Sequence, residues 1–209
     1  MKFYDCKTAP SPRRVRIFIA EKGIAIETVQ VDLGSGEQFS DAYRKINPDC
    51  VVPALELDNG TCISEVLAIC HYLEERHPEP ALLGVTAEAR AAVLMWNSKV
   101  EQQGFMAMAE AFRNAAKGLQ DRAITGPEPY AQIPELAERG RKRVVQFFNR
   151  LDGQLGKNQF VAGERYSMAD ISALVVVDFA GRSKIPIPDD AQNLRRWYEL
   201  VAGRPSAAA

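Results

Sequence analysis

The chain has 209 residues, which is enough for one large domain or two modest ones. Its 26 Lys and Arg residues balance 27 Asp and Glu residues, so charge gives no reason to expect a nucleic-acid or anionic-membrane partner. No apolar run approaches the roughly 20 residues that span a bilayer. The first residues lead straight into a predicted strand and do not have the form of a signal peptide.

The cysteines and histidines do not form a metal-binding pattern. No pair of cysteines has the CxxC spacing, and two histidines add little to them. The four cysteines are Cys6, Cys50, Cys62 and Cys70. We therefore expect reduced thiols, no metal and a cytoplasmic location.

The first third of the chain begins with alternating strand and helix signals. Residues 3–4 predict a brief strand, and the loop over 8–12 carries two prolines that remove backbone donors. Apolar spacing predicts a helix over 13–22 that ends at Gly23. Alternation over 26–33 predicts a second strand, so this segment should form a parallel, right-handed βαβ unit.

A hairpin and two further helices complete this part. A short helix is predicted over 39–46, and Pro53 opens a short apolar strand. The Asn59-Gly60 pair predicts a two-residue turn with positive φ values before the next strand. A helix then opens at residues 64–65. The order of elements predicts a small mixed sheet flanked by helices.

Two neighbouring features of this hairpin suit a peptide ligand. If the peptide bond before Pro53 is cis, Val52 presents its N–H and C=O sideways to an extended ligand. The helix start that follows offers free N–H groups and a positive dipole end, which attract a carboxylate. An exposed peptide edge beside an anion site is what a small acidic peptide needs.

From residue 86 onward the sequence predicts helices only. A Pro- and Gly-containing linker over 79–85 precedes them. The first part predicts either one long helix or two helices joined near Gly104, and a polar break covers 118–134. A further helix is predicted over 136–155.

The sequence resembles the cytosolic glutathione S-transferase family. The residues that carry the resemblance are Val52-Pro53, the acidic Glu65 at the next helix start, and a helix-capping motif formed by Ser167 and Asp170. The resemblance implies an α/β thioredoxin-like domain over 1–78 and an all-α domain over 86–209. It also implies glutathione as co-substrate and a symmetric homodimer.

The resemblance assigns each end of glutathione to a segment of the first domain. Val52, followed by Pro53, would pair its backbone with the cysteinyl residue. Glu65 would take the γ-glutamyl ammonium, and the N–H of Val66 would take the adjoining carboxylate. Gln38 lies where the family contacts the glycyl end.

The chain departs from the family at the position that activates the thiol. Counting back from Val15, the usual Ser or Cys is replaced by Ala9. A free thiol must lose roughly two pKa units, about 2.7 kcal/mol, to be a thiolate at neutral pH. Ser11 is our first choice for this role and Thr8 the second. The resemblance leaves two alternatives open: a water held by the helical domain, or backbone N–H groups alone.

The resemblance also implies an apolar second substrate on the helical domain. The side chains expected to meet it are Phe105, Met108, Phe112 and Arg113. The resulting function is conjugation of glutathione to electrophilic apolar molecules. The alternatives are glutathione-dependent isomerase or peroxidase activity at the same site, or non-catalytic binding of glutathione or a hydrophobic ligand. Ala9 and Val66 favour the last of these.

Overall fold

The computed structural model describes all residues from 1 to 209. The chain divides into two compact units. The first contains residues 1–80, 125–128 and 209, and the second contains 81–124 and 129–208. None of the helices is both long enough and apolar enough to span a membrane.

The first unit is built on a four-stranded mixed sheet, as the sequence predicts. The spatial order of the strands is β2-β1-β3-β4, with β1 parallel to β2 and the other neighbours antiparallel. The strands are β1 (Lys2–Asp5), β2 (Glu27–Gln30), β3 (Ala54–Glu56) and β4 (Cys62–Ser64). The parallel pair and the antiparallel hairpin are both confirmed.

Three helices accompany this sheet, and their bounds differ from those predicted. They are α1 (Pro10–Lys22), α2 (Asp41–Arg44) and α3 (Val66–Arg76). Helix α1 starts three residues earlier than predicted because a proline at the first helical position needs no N–H partner. The predicted helix over 39–46 is only one turn long, and a 3₁₀ turn over Glu37–Phe39 precedes it.

The turn between β3 and β4 differs from the predicted two-residue turn. Gly60 has a φ of 80°, whereas Asn59 does not have a positive φ. The N–H of Leu57 bonds to Thr61 O at 2.8 Å, and the N–H of Gly60 bonds to Leu57 O at 2.9 Å. The loop therefore has three residues, Asp58 to Gly60, and only the glycine takes the left-handed conformation.

The core of the first unit lies between the sheet and helices α1 and α3. Its side chains are completely or almost completely buried. They include Phe3, Val15, Phe18, Leu55, Ile69 and Leu73. Phe3 and Leu55 face each other across β1 and β3, so one face of the sheet is apolar.

A buried lysine fixes the far end of α1. The Nζ atom of Lys22 lies 2.5 Å from Glu74 Oε2 and donates to the carbonyls of His77 and Pro80 at 2.8 and 2.6 Å. The lysine side chain is completely buried. The C-terminal end of α1 is therefore held to α3 and to the chain that follows it.

The second unit contains only helices. They are α4 (Ala87–Lys99), α5 (Met106–Arg113), α6 (Pro134–Leu155), α7 (Met168–Arg182) and α8 (Gln192–Ala202). A π-helical segment over Val100–Phe105 joins α4 to α5. The segment containing Gly104 is thus one continuous helical run with a wide turn inside it, not two separate helices.

Glycine allows two of these helices to approach very closely. A Cβ atom on Gly140 of α6 would lie 2.5 Å from the amide nitrogen of Ala111 and 2.7 Å from the carbonyl oxygen of Ala107. Both contacts are to the backbone of α5. Any larger residue at Gly140 would push the two helices apart.

A capping network holds the start of the central helix α7. Asp170 is completely buried, and its Oδ2 accepts from the N–H and Oγ of Ser167 at 3.0 and 3.1 Å. Its Oδ1 accepts from the N–H of Val161 and the indole N–H of Trp197, both at 2.9 Å. The predicted capping role of Asp170 is confirmed, and its network is larger than the sequence indicated.

Candidate active site

Four chain segments meet at one end of the sheet in the first unit. Asp5 pairs with Gln30, Tyr4 with Ala54, and Ala54 with Ser64. The loops that leave β1, β2 and β4, and the chain that enters β3, therefore emerge on the same side. These loops, together with the first turns of α1 and α3, carry the predicted residues of the first unit, which are Thr8, Ser11, Gln38, Val52, Pro53, Glu65 and Val66.

A polar network fixes the loop between β1 and α1. The buried Asp5 accepts from Arg16 Nη1 and from Gln30 Nε2, each at 2.6 Å. Arg16 also donates to the carbonyls of Cys6 and Lys7 at 3.4 and 3.1 Å. Gln30 Oε1 accepts from the N–H of Lys7 at 3.0 Å. The loop backbone thus has fixed partners on both strands and on α1.

This network is not evident from the sequence alone. None of the predictions above gives Asp5, Gln30 or Arg16 a role. A polar residue at the end of each of two parallel strands is a usable signal, because the pairing of Asp5 with Gln30 puts both at one edge. That pairing was not known from the sequence.

The start of α1 offers few backbone donors. Pro10 and Pro12 have no N–H, so within the first turn Ser11 supplies the free backbone N–H group. The Oγ of Ser11 accepts from Arg14 Nη2 at 3.2 Å, and Arg14 is only 4% exposed. The hydroxyl proton of Ser11 stays available, and a donor on its oxygen makes it a better donor in turn.

Thr8 is placed differently from Ser11. It is exposed in the loop, and its Oγ1 lies 3.5 Å from the Sγ of the buried Cys6. Ala9 is the N-cap of α1 and has no side-chain hydrogen bond to the helix. No cationic side chain bonds to the hydroxyl of Thr8, so it lacks the polarising contact that Ser11 has.

The predicted peptide edge is present before β3. The Val52–Pro53 bond is cis, and no hydrogen bond joins the N–H or C=O of Val52 to another group of the chain. Val52 is half-buried, whereas Pro53 is buried. The N–H and C=O of Val52 are therefore without hydrogen-bond partners within the chain.

Glu65 has an unusual backbone at the start of α3. Its φ and ψ are 67° and 126°, outside the regions that most side chains adopt, and its side chain is exposed. The first hydrogen bond of the helix runs from Ile69 N–H to Glu65 O, which leaves the N–H groups of residues 66–68 free of helical partners. Strain of this kind is common at ligand sites.

Gln38 is a buried amide within the 3₁₀ turn. The residue is 6% exposed, and its Oε1 is buried with no hydrogen-bond partner. An unpaired buried acceptor is costly, so the position favours a ligand that brings an N–H group. The glycyl amide of a peptide is such a group.

The residues predicted to meet an apolar substrate lie in the second unit and differ in burial. Met108 is completely buried and Phe105 is 9% exposed, whereas Phe112 is 39% exposed. The ring of Phe112 packs edge-on against Phe179 with centroids 5.3 Å apart. Contact of these side chains with a substrate stays a prediction.

Arg113 is bonded to the loop that follows α5. Its Nη2 donates to the carbonyls of Arg122 and Ile124 at 2.5 and 3.4 Å. Burial lowers the pKa of the Arg113 guanidinium below its usual range. These bonds hold one nitrogen of the guanidinium, and the role of Arg113 toward a substrate also stays a prediction.

Both halves of the chain match one family. A sequence model described as glutathione S-transferase, N-terminal domain, matches residues 3–81, and one described as glutathione S-transferase, C-terminal domain, matches 96–205. The chain is 33% identical over 209 residues to glutathione S-transferase 2 of Saccharomyces cerevisiae, covering 99% of this chain and 87% of that protein. It is also 33% identical over 186 residues to maleylacetoacetate isomerase of Rattus norvegicus, covering 83% of this chain and 75% of that protein.

A solved structure agrees with these sequence matches. The crystal structure of a glutathione S-transferase domain-containing protein from Marinobacter aquaeolei VT8 matches with a TM-score of 0.91 at 36% identity, covering 99% of both chains. The domain matches, the yeast relative and this structure agree on the same fold and on nearly the whole chain. The chain therefore belongs to the glutathione S-transferase family.

Proposed function

We propose that the protein is a glutathione transferase that conjugates the glutathione thiol to apolar electrophiles. The observation that carries this proposal is the unpartnered peptide edge of Val52, which lies at the same end of the sheet as the start of α3. A γ-glutamyl peptide needs both features. The edge pairs with its central residue, and the helix start receives its charged end.

The binding roles follow from the chemistry of each group. The exposed carboxylate of Glu65 would pair with the γ-glutamyl ammonium, and the free N–H of Val66 would bind the neighbouring carboxylate. The unpaired Oε1 of Gln38 would accept the glycyl N–H. Val66 has no hydroxyl to add, so the backbone supplies the donors at this end.

Thiolate formation is assigned to the start of α1. The Ser11 hydroxyl would donate to the sulfur, supported by Arg14 on its oxygen and by the positive end of the helix. The thiol proton leaves to solvent, and the sulfur attacks the electrophilic carbon to form a C–S bond. The displaced group carries away the bonding electron pair, or the adduct takes up a proton when the electrophile is an activated alkene.

The first experiment is the thiolate absorbance of protein-bound glutathione as a function of pH. A thiol pKa at least one unit below 8.5 is expected for an activating site. Saturable binding with an unshifted pKa would favour a glutathione or hydrophobic-ligand binding protein instead. Absence of binding, or unchanged binding by a Glu65→Ala variant, would overturn the assignment of the glutathione site.

A second candidate activity is glutathione-dependent isomerisation at the same site. The observation that favours it is the similarity to the rat maleylacetoacetate isomerase. The two reactions differ in stoichiometry, because conjugation consumes glutathione and isomerisation regenerates it. Measuring free thiol during turnover of a cis-alkene diketo acid separates them.

We also propose where the protein acts and that it forms a homodimer. All four cysteines are free thiols, which suits a reducing compartment such as the cytoplasm. There the protein would remove reactive electrophiles. A homodimer is supported by an exposed apolar face on α4, where Leu94 and Met95 are 41% and 48% exposed.

A further inference from the structure

The carbonyl group of Val51 accepts two hydrogen bonds from side chains. The hydroxyl of Tyr43 donates to it at 2.7 Å, and the side-chain amide of Asn47 donates at 2.8 Å. Both donors are almost fully buried, with exposures of 4% and 2%. Two buried donors on one carbonyl oxygen use both of its lone pairs.

Neither donor is free to follow a moving carbonyl. The Oδ1 of Asn47 accepts from the N–H of Asp49 at 3.1 Å, and its backbone oxygen accepts from the N–H of Cys50 at 3.0 Å. The ring of Tyr43 packs edge-on against Tyr4, with centroids 5.9 Å apart. The direction of the Val51 carbonyl is therefore set by the side chains of Tyr43 and Asn47.

This direction determines where the next N–H group points. The two cis bonds of the chain precede Pro53 and Pro80, so the Val51–Val52 bond is trans. In a trans peptide the C=O and N–H point in opposite directions. The N–H of Val52 is thus directed away from Tyr43 and Asn47, and it has no partner within the chain.

We propose that Tyr43 and Asn47 are positioning residues that set glutathione affinity through the peptide group between Val51 and Val52. Neither side chain needs to touch the ligand. The inference rests on the proposed function, because it presumes that Val52 pairs with the cysteinyl residue of glutathione. It predicts an effect on binding and none on the reactivity of the bound thiol.

The hydroxyl of Tyr43 can be removed without removing its packing. A Tyr43→Phe variant keeps the ring against Tyr4 and leaves Asn47 as the single donor to Val51. We expect its glutathione dissociation constant to rise about fivefold, the loss typical of one neutral hydrogen bond. The kcat at saturating glutathione and the thiol pKa should not change.

Tyr4 provides a matched control. It belongs to the same ring pair, but its hydroxyl donates to Glu56 Oε2 at 2.8 Å and to no atom of the loop before β3. A Tyr4→Phe variant removes the same atom and should bind glutathione as the wild type does. The backbone ¹⁵N–¹H signal of Val52 in the unliganded protein should shift in Tyr43→Phe and stay in place in Tyr4→Phe.

Calorimetric titration of the three proteins with glutathione decides the matter. Weaker binding by Tyr43→Phe alone, with unchanged kcat, supports the inference. Equal binding by Tyr43→Phe and wild type overturns it, as does an equal loss in both variants, which would indicate a general effect of the ring pair. Wild-type protein that binds no glutathione would instead overturn the proposed function itself.

Discussion

At the scale of single residues, Ser11 is proposed over Thr8 as the group that activates the thiol because a cationic side chain polarises only the hydroxyl of Ser11. Ser11 accepts from the buried Arg14, whereas Thr8 is exposed and contacts only a cysteine sulfur. We expect Ser11→Ala to raise the thiol pKa of bound glutathione by about one unit, worth about 1.4 kcal/mol. Absorbance titration of the thiolate measures this shift.

Thr8→Ala is the comparison for that experiment. It removes a hydroxyl from the same loop without removing the contact with Arg14, so the thiol pKa should stay as in the wild type. A shift in Thr8→Ala alone would transfer the role to Thr8. Wild-type values in both variants would assign activation to a bound water or to backbone N–H groups.

Arg16 holds the loop between β1 and α1 through its backbone carbonyls. Its guanidinium joins Asp5 to two successive loop carbonyls, a geometry that the single ammonium of lysine cannot copy. We expect Arg16→Lys to lower kcat/KM roughly tenfold through loss of about one charge-assisted hydrogen bond. Steady-state kinetics with glutathione and an aromatic electrophile measures the loss.

Arg143 is a matched control for Arg16. It also joins one carboxylate, Glu110, and one backbone carbonyl, that of Gln102, at 2.9 and 2.8 Å. Arg143 and both of its partners belong to the second unit and make no hydrogen bond to the loop that carries Ser11. Arg143→Lys should therefore leave kcat/KM near the wild-type value. An equal loss in both variants would argue against a specific role for Arg16.

At the scale of elements, the start of α7 depends on one carboxylate. Four donors meet on Asp170, and removing it would leave the N–H of Val161 and the indole N–H of Trp197 buried without partners. We expect Asp170→Ala to lower the free energy of unfolding by about 3 kcal/mol. Urea denaturation measures this loss. Ser172→Ala is the comparison, because it removes a single buried hydrogen bond, to Asn97, and should lower the free energy of unfolding less.

The buried carboxylate of Asp170 should make the free energy of unfolding depend on pH, and the direction of the change can be derived. Burial raises the pKa of Asp170 to about 6 from an ordinary value of 3.8, against the opposing effect of its hydrogen bonds. Between about pH 4 and pH 6 the folded state holds the proton that the unfolded state has lost, so stability falls as pH rises, by up to about 3 kcal/mol. The difference in unfolding free energy between wild type and Asp170→Asn should narrow over this range, and a constant difference would contradict the prediction.

The elements also show what the sequence can predict. The mixed sheet can be predicted from local patterns. Pro53 marks the start of a strand, Gly60 marks a turn, and alternating apolar residues mark a strand. The three-residue turn was missed because Asn-Gly allows positive φ at both residues without requiring it. The π-helical segment was missed because its side chains keep an ordinary helical pattern, and close packing of Gly104 against Phe147 is a tertiary contact.

The candidate site was predictable to a similar extent. Val52 and Glu65 can be proposed from the sequence because a proline and a helix start are visible in it. The roles proposed for Arg16 and Tyr43 could not be predicted, since they depend on carbonyl groups that only the folded chain brings within reach. Backbone partners of long side chains have no sequence signature.

At the scale of the whole molecule, the exposed face of α4 predicts self-association. Leu94 and Met95 present apolar surface, and the small Ala91 lies beside them on the same face. We expect the wild type to sediment as a dimer and Leu94→Glu to sediment as a monomer. Val145→Glu, at a 39% exposed site on α6, is the control and should stay dimeric. A monomeric wild type would contradict the proposed homodimer.

The two ends of the sheet carry different loops, which matters when the protein is attached to a surface or a dye. The hairpin loop over 58–60 and Met1, which pairs with Asp58, lie at the end of the sheet opposite the site loops. Cys62 begins the strand after that loop, and it is the one cysteine that is not buried. Burial and the nearby Glu56 raise its thiol pKa, so alkylation should be slow but selective. A maleimide probe or resin would therefore attach at the end of the sheet opposite the loops that carry the proposed site residues.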